Sequence, residues 1–402
     1  MTRWPTATIG SACTVFSGGT PSKGNAAYWR GTIPWVSAKD LKADRIFDAE
    51  LHISQQACDE SAAKMAPVGS LLMLVRGMGL ANGIQVGEVT APVAFNQDLR
   101  AIVPPPGVDS RFLLLALRHR LADGGKGVLS SAAHGTLKID ADALRQVEFP
   151  VPPPHEQRRI VAILDEAFAG IATAKANAEK NQQNAREVQD TCVATLLSPA
   201  QSWTVGPLSS FVESISTGPF GSMLHKSDYV DDGVPLVNPV NIVAGCIVPT
   251  EEKQVDEATA ARLRSYLLRR GDIVVGRRGE IGRCAVVSDT QDGWLCGTGC
   301  FFIRPSSQIE PSFIAHLIRS PPCRARLEAL STGTTMQNLS NGALSGLEVA
   351  LPGLAEQKRL LAAIDAVSSQ SDHLCEIYKR KLVALDELKR SLLHQAFSGQ
   401  LS

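Results

Sequence analysis

The side chains best suited to chemistry in this sequence are basic and amide groups set in glycine-rich loops. In the first half, Lys23 follows GGTPS, Ser37 and Lys39 lie in and after PWVSA, and Arg76 closes LVR ahead of a glycine. Lys126, His134 and Lys138 surround a Gly/Ser-rich stretch. In the second half, His225 and Lys226 follow GPFGSML, and Asn238 and Asn241 follow DGVPLV. Arg277 and Arg278 sit in GRRGEIG, and Gln337 and Asn338 in GTTMQNLS. Arg, Lys, Asn and Gln are the side chains that match guanine and adenine edges in the major groove. Glycine-rich loops let backbone amides reach phosphates. Singly, each of these residues is an ordinary surface side chain. Their recurrence at equivalent places in two halves of one chain is what points to nucleic acid.

No catalytic constellation accompanies them. There is no G-x-x-x-x-G-K-[ST] phosphate loop, no H-E-x-x-H zinc pair and no nucleophile elbow. GMGLANG, residues 77–83, has the glycine density of a cofactor loop but neither its spacing nor a following helix, and it reads as a tight turn. Cys296 and Cys300, with Cys284 upstream, form a C-x₃-C pair that has no counterpart at 95–99 and no second pair to complete four zinc ligands. The expectation is no metal, no cofactor held by this chain and no enzymatic activity.

The elements that position these loops follow from an internal repeat. Pro152, Glu156, Gln157, Arg159, Ala162 and Asp165 recur 200 positions later at Pro352, Glu356, Gln357, Arg359, Ala362 and Asp365. GTIPWV answers DGVPLV, Gly69 and Arg76–Gly77 answer Gly271 and Arg278–Gly279, and Trp4 answers Trp203. After each E-Q pair the apolar spacing alternates four and three residues, the pattern of a coiled-coil face. In the first helix that seam runs from Ile160 through Leu164, Ala167, Ile171, Ala174, Ala178, Asn181, Ala185, Val188 and Cys192. In the second it runs through Leu360, Ile364, Val367, Ser371, Leu374, Tyr378, Lys381, Leu385, Leu388 and Leu392. Pro199 and Gly399 stop the two helices.

The expected architecture is therefore α/β (α+β). Two globular units, 1–151 and 202–351, are separated by helical segments 152–201 and 352–402, which pair as an antiparallel coiled coil about a pseudo-twofold axis. Within the units, 69–76 and 271–277 read as a turn and a buried strand, and 110–121, 258–268 and 311–317 as helices.

Composition bounds the partners. The chain has 402 residues, 44% hydrophobic and 20% charged, and a mean hydropathy of 0.00. Forty basic residues balance forty acidic ones. That excludes a polybasic DNA coat, while leaving room for a reader with local basic patches. The longest apolar runs, 71–75 and 112–117, are far short of the ~20 residues that span a bilayer. The odd count of nine cysteines suits a reducing cytoplasm.

With these motifs assembled, the sequence resembles the specificity subunits of type I DNA restriction-modification systems along essentially its whole length. The strongest tokens are the helix starts PPPHEQRRIVAILD and LPGLAEQKRLLAAID, which match the family's P-x-x-E-Q-x-x-I/L pattern. GGTPS, GPFGS, IPWVSAKDL, FNQDL, GTTMQNLS and AFSGQL are also similar. The resemblance implies two target-recognition domains, each reading one half of a split site in double-stranded DNA. It implies helices that set the spacing and dock two modification (methyltransferase) subunits, with Glu156, Gln157, Arg159, Glu356, Gln357 and Arg359 as the partner-facing residues. Restriction/translocase subunits join the full cytoplasmic complex, and S-adenosylmethionine, ATP and Mg belong to the partner subunits. HGTLKID, residues 134–140, departs from GTTMQNLS, which weakens the base-reading role of that loop in the first unit. The rival reading is a cytosolic, non-catalytic coiled-coil scaffold that binds no DNA.

Overall fold

Leu71, Leu72, Met73 and Leu74 are all fully buried, and this apolar run is the middle strand of a five-stranded sheet. A strand covered on both faces reads as continuous hydrophobics rather than an alternation. The computed structural model describes residues 4–122, 127–131, 137–220, 223–249, 253–332 and 338–400, apart from the side chains of Asn82, Ser131 and Lys226. The chain divides into two compact units, Met1–Lys180 with Tyr378–Ser402, and Asn181–Ile377. Each unit thus owns a share of both long helices. The boundaries expected at 1–151 and 202–351 instead set the helices apart from the globular parts.

In unit 1 the larger sheet runs in the order Thr14–Ser17, Leu99–Val103, Leu71–Leu74, Val86–Val89, Arg45–Ile46. A four-stranded sheet has the order Leu51–Ile53, Ile33–Val36, Val93–Phe95, Lys64–Ala66, with Trp35 and Ala94 in a parallel pairing. The helix Ser110–Arg120 lies in the same core, with six consecutive buried residues from Phe112 to Leu117. Asp109 caps it, accepting from the Phe112 amide at 2.9 Å. Unit 2 repeats the plan. One sheet has the order Val212–Thr217, Cys300–Pro305, Ile273–Gly276, Cys284–Val286. The other has Tyr229–Val230, Gln254–Val255, Val234–Val237, Leu295–Cys296. Its helix Pro311–Arg319 starts on proline and buries Phe313, Ile314, Ala315 and Ile318. The helix expected over 258–268 is shorter. It ends at Arg262, and a 3-10 turn, Arg264–Tyr266, follows.

The long helices are Pro154–Leu196 and Leu354–Ser398. Gly399, at φ +79°, ends the second. Within unit 1 they run antiparallel: Lys175 pairs with Asp386 at 2.9 Å, and Lys389 lies over the Phe168 ring. Ile160 and Leu164 share the unit 1 core with Leu393, Ala396 and Phe397. Within unit 2 they are again antiparallel. Gln189 Nε2 donates to Ser368 Oγ, Ser371 Oγ to the Ala185 carbonyl, and Gln182 Nε2 to the Cys375 carbonyl.

The seam departs from expectation at five places. Asn181, Val188, Leu374, Lys381 and Leu388 are exposed, and Gln182, Gln189, Cys375 and Leu382 are turned inward instead. A straight helix drifts about 20° per heptad relative to a strict seven-residue repeat, and over this length the drift carries the inner face one residue along. No described helix is long and apolar enough to cross a membrane.

Candidate nucleic-acid interface

In each unit one short turn gathers three of the loops singled out above. In unit 1 it is residues 95–99, FNQDL. The Phe95 carbonyl accepts from the Gly19 amide at 3.0 Å, and the Asn96 amide donates to the Val36 carbonyl at 3.0 Å. The Val75 amide donates to the Asp98 carbonyl at 2.8 Å. A Cβ on Gly18 would strike the Phe95 backbone, so the GG of GGTPS is required by close approach. In unit 2 the turn is 296–300, CGTGC. The Gly218 amide donates to the Cys300 carbonyl, the Gly297 amide to Val237, and the Arg277 amide to Gly299, at 2.9, 2.9 and 3.0 Å.

Beside each turn a basic strand end meets the loop that follows the sheet. Arg76 bridges Lys138 through the backbone, and Arg278 bridges Asn338 in the same way. The Ile139 amide donates to the Val75 carbonyl, and the Leu339 amide to the Arg277 carbonyl. HGTLKID is therefore the structural counterpart of GTTMQNLS at its described end. Arg277 Nε donates to Asn338 Oδ1 at 3.3 Å, and its guanidinium lies over the Phe301 ring.

The two sites differ in charge. Arg76 is held by Asp98, with Nη2 and Nε donating to Oδ1 at 2.7 and 3.0 Å. The position of Asp98 is occupied in unit 2 by Gly299. Arg278 is exposed there, with no side-chain partner among the described residues. Asp98 was not among the candidate residues. Its signal lies in FNQDL, two residues past the point where the strand carbonyl of Val36 is received.

The other candidates fall into four groups. Lys23, Lys39, Lys138 and His225 are exposed. Ser37 and Asn238 are half-buried caps. The Ser37 amide and hydroxyl both donate to Asp40 Oδ2 at 2.8 Å, and the Asn238 amide donates to Asn241 Oδ1 at 2.8 Å. Asn241 is only 2% exposed, and its Nδ2 donates to the Val248 carbonyl. It shapes the loop and is withdrawn from the base-reading set. Lys126, His134 and Gln337 lie outside the described residues, as does the Lys226 side chain.

The E-Q motif splits in the same way. Gln157 is 1% exposed. Its Oε1 accepts from the Asp109 amide at 2.8 Å, and its Nε2 donates to the Gly107 and Pro152 carbonyls at 2.9 and 2.8 Å. Gln357 is also 1% exposed and makes the same three bonds, with Glu310, Gln308 and Pro352. These glutamines fasten each helix start to its own unit, so they are not partner-facing. Glu156–Arg159 and Glu356–Arg359 form ion pairs outside, at 3.0 and 2.6 Å.

Cys284, Cys296 and Cys300 are core residues. Burial pushes all three thiols up, Cys284 to about 12. No group of three or more His, Cys, Asp or Glu side chains is placed to hold a metal among the described residues.

Residues 1–182 and 201–379 each match the model of the type I restriction modification DNA specificity domain. The chain belongs to this family. The family confers specificity and is not itself catalytic. Over 162 residues the chain is 32% identical to the EcoR124I/EcoR124II specificity subunit of Escherichia coli, covering 39% of each. Over 168 residues it is 30% identical to the MjaIX specificity subunit of Methanocaldococcus jannaschii, covering 40% of this chain and 37% of that one. The chain thus aligns with about two-fifths of the length of these relatives. Its fold is similar to that of the HsdS subunit from Thermoanaerobacter tengcongensis, with a TM-score of 0.64 and 16% identity, over 99% of this chain and 97% of that one. A chain solved in work on complex assembly and conformational transition of the type I restriction-modification system superposes with a TM-score of 0.75 at 16% identity, over 99% and 98%.

Proposed function

We propose that this chain is the DNA-reading subunit of a type I restriction-modification complex, with each recognition domain reading one half of an asymmetric, bipartite site. The observation that carries the reading is the pair of equivalent turns, 95–99 and 296–300, each joined to a basic strand end with different side chains. Arg76 and Lys138 stand in one unit where Arg278 and Asn338 stand in the other. Arginine supplies paired donors to base edges and asparagine a donor and an acceptor, while lysine is a point charge for guanine or phosphate. Unlike side chains on a shared frame read unlike half-sites.

In this reading the long helices set the distance between half-sites and dock two modification subunits, with Arg159 and Arg359 exposed, and Glu156 and Glu356 half-buried beside them, for that contact. Methyl transfer, cleavage and translocation belong to the partner subunits, along with S-adenosylmethionine, ATP and Mg. The complex works on double-stranded DNA in the cytoplasm. The test is methylation sequencing of DNA from cells carrying this chain with its modification subunits. A split, asymmetric methylated motif is expected. A continuous or palindromic motif, or none, overturns the reading.

A further inference from the structure

The two units diverge at a second arginine, outside the turns described above. In unit 1, Asp44 lies four residues past the capping residue Asp40, and Arg118 lies nine past the helix cap Asp109. The Asp44 carboxylate holds Arg118 at 2.7 Å and Arg111 at 3.0 Å, and Arg111 also holds Asp165 at 2.7 Å. In unit 2 the same counts, from Asn241 and from Glu310, arrive at Gly245 and Arg319. The carboxylate is gone. A Cβ on Gly245 would collide with Arg319 Nη1, so the guanidinium fills the space where unit 1 keeps its aspartate.

Arg319 finds no replacement within the unit. Its one side-chain partner among the described residues is His316 Nδ1, at 3.4 Å. Burial, followed by the Arg319 charge, lowers His316 to about 4, so the imidazole is neutral and accepts. Asp365, the repeat counterpart of Asp165, makes no ion pair with Arg319. The arginine faces a cavity of about 600 Å³ that also presents Arg283, Arg324, Glu280 and Asp190. Glu280 is committed to Arg283 at 2.6 Å and Arg324 at 3.5 Å. Arg324 also reaches Glu328 at 4.0 Å, so among the described residues Arg319 is the guanidinium of this cavity left without a carboxylate, and half-buried charges are held stably when paired.

We infer that this cavity receives one carboxylate side chain, an Asp or Glu of a protein partner, which pairs with Arg319 as Asp44 pairs with Arg118 in unit 1. The inference rests on the proposed reading that the chain works in an assembly. A protein carboxylate fits better than a DNA strand on two counts. A single guanidinium lacks a carboxylate, whereas a phosphodiester run would bring several negative charges past Glu280 and Asp190. The cavity also shares no lining residue with the Arg277, Arg278 and Asn338 cluster, and one wall is the long helix at Gln189, Val193 and Ala194.

The test uses the full chain with its modification subunits and two variants. Arg319→Gln removes the charge. Gly245→Asp supplies the carboxylate in cis, as unit 1 does. Asp is among the residues that tolerate a positive φ, here +81°, and the clashing atom is the movable tip of Arg319. Both variants are expected to weaken subunit association about 10-fold or more, measured by titration, while melting curves show the chain folded. If Arg319→Gln fails to fold, Gly245→Asp alone decides. Association equal to wild type in a folded variant overturns the inference and leaves the DNA-reading proposal standing. Normal association with weakened DNA binding overturns it in favour of a phosphate. Failure of the wild-type chain to associate overturns both.

Discussion

At the residue scale, two aspartates of unit 1, Asp44 and Asp98, have glycines in their places in unit 2, and each exchange leaves an arginine without a carboxylate. Arg278 is the better placed for DNA, being exposed and adjacent to Asn338. Arg278→Ala is expected to cost about 1–3 kcal/mol of specific binding, with relaxed choice at one base pair. If it makes a phosphate contact instead, the loss is uniform across sequences and the salt slope falls by about 1. Asp98→Asn releases Arg76 and is expected to tighten binding at the other half-site; unchanged affinity would show that Arg76 does not reach DNA. Asp44 supports a pH prediction. Burial alone would raise its carboxyl, but hydrogen bonds and charge from Arg118 and Arg111 outweigh that and lower it to about 2. A folded value below the unfolded one stabilises above about pH 4, and the contribution is lost as pH falls toward about 2. After discounting for solvent screening it is worth about 1 kcal/mol. Melting temperature should therefore fall less steeply between pH 4 and 2 in Asp44→Asn than in wild type.

At the element scale, legibility followed burial. The strands at 71–74 and 273–276 and the helices at 110–120 and 311–319 were readable because their apolar runs are long and their caps explicit. The repeat exposed both long helices. Their inner face was only partly readable, because polar Gln182 and Gln189 turn inward while Val188 and Leu388 face solvent, 60% and 46% exposed. Hydropathy cannot rank a glutamine that bonds across the helix pair above a valine that does not. The glutamines of the E-Q pair were hidden for a related reason: their partners, Asp109 and Glu310, lie almost fifty residues upstream. Leu385 and Leu388 separate the two versions of the seam. Leu385→Lys places a charge on the half-buried face and is expected to cost about 1–3 kcal/mol, read by denaturant melting. Leu388→Lys should lie within about 0.5 kcal/mol of wild type. Equal costs would restore the strict heptad.

At the scale of the whole molecule, neutrality and duplication bear on the proposed function. With forty basic and forty acidic residues, the chain has no surplus with which to hold DNA through phosphates alone. The purified single chain is expected to bind its site weakly and gain affinity on assembly; tight specific binding by the chain alone would contradict this. In the proposed reading the duplicated helices act as the ruler. Four residues inserted after Lys180 in one helix and after Ile377 in the other add one turn to each, keeping the antiparallel partners in step. An insertion in one helix alone would set Lys175–Asp386 or Gln189–Ser368 out of step. Each insertion adds about 6 Å and about 40° of right-handed rotation. One base pair of DNA adds about 3.4 Å and about 35° in the same sense. The rotation matches one base pair and the rise nearly two, so methylation sequencing should show the gap longer by about one or two base pairs and both half-sites unchanged. Replacing residues 202–351 with another recognition unit should change one half-site and leave the gap alone. An insertion that leaves the gap unchanged would show that the helices do not measure it. An exchange that alters both halves would show that the two units do not read independently.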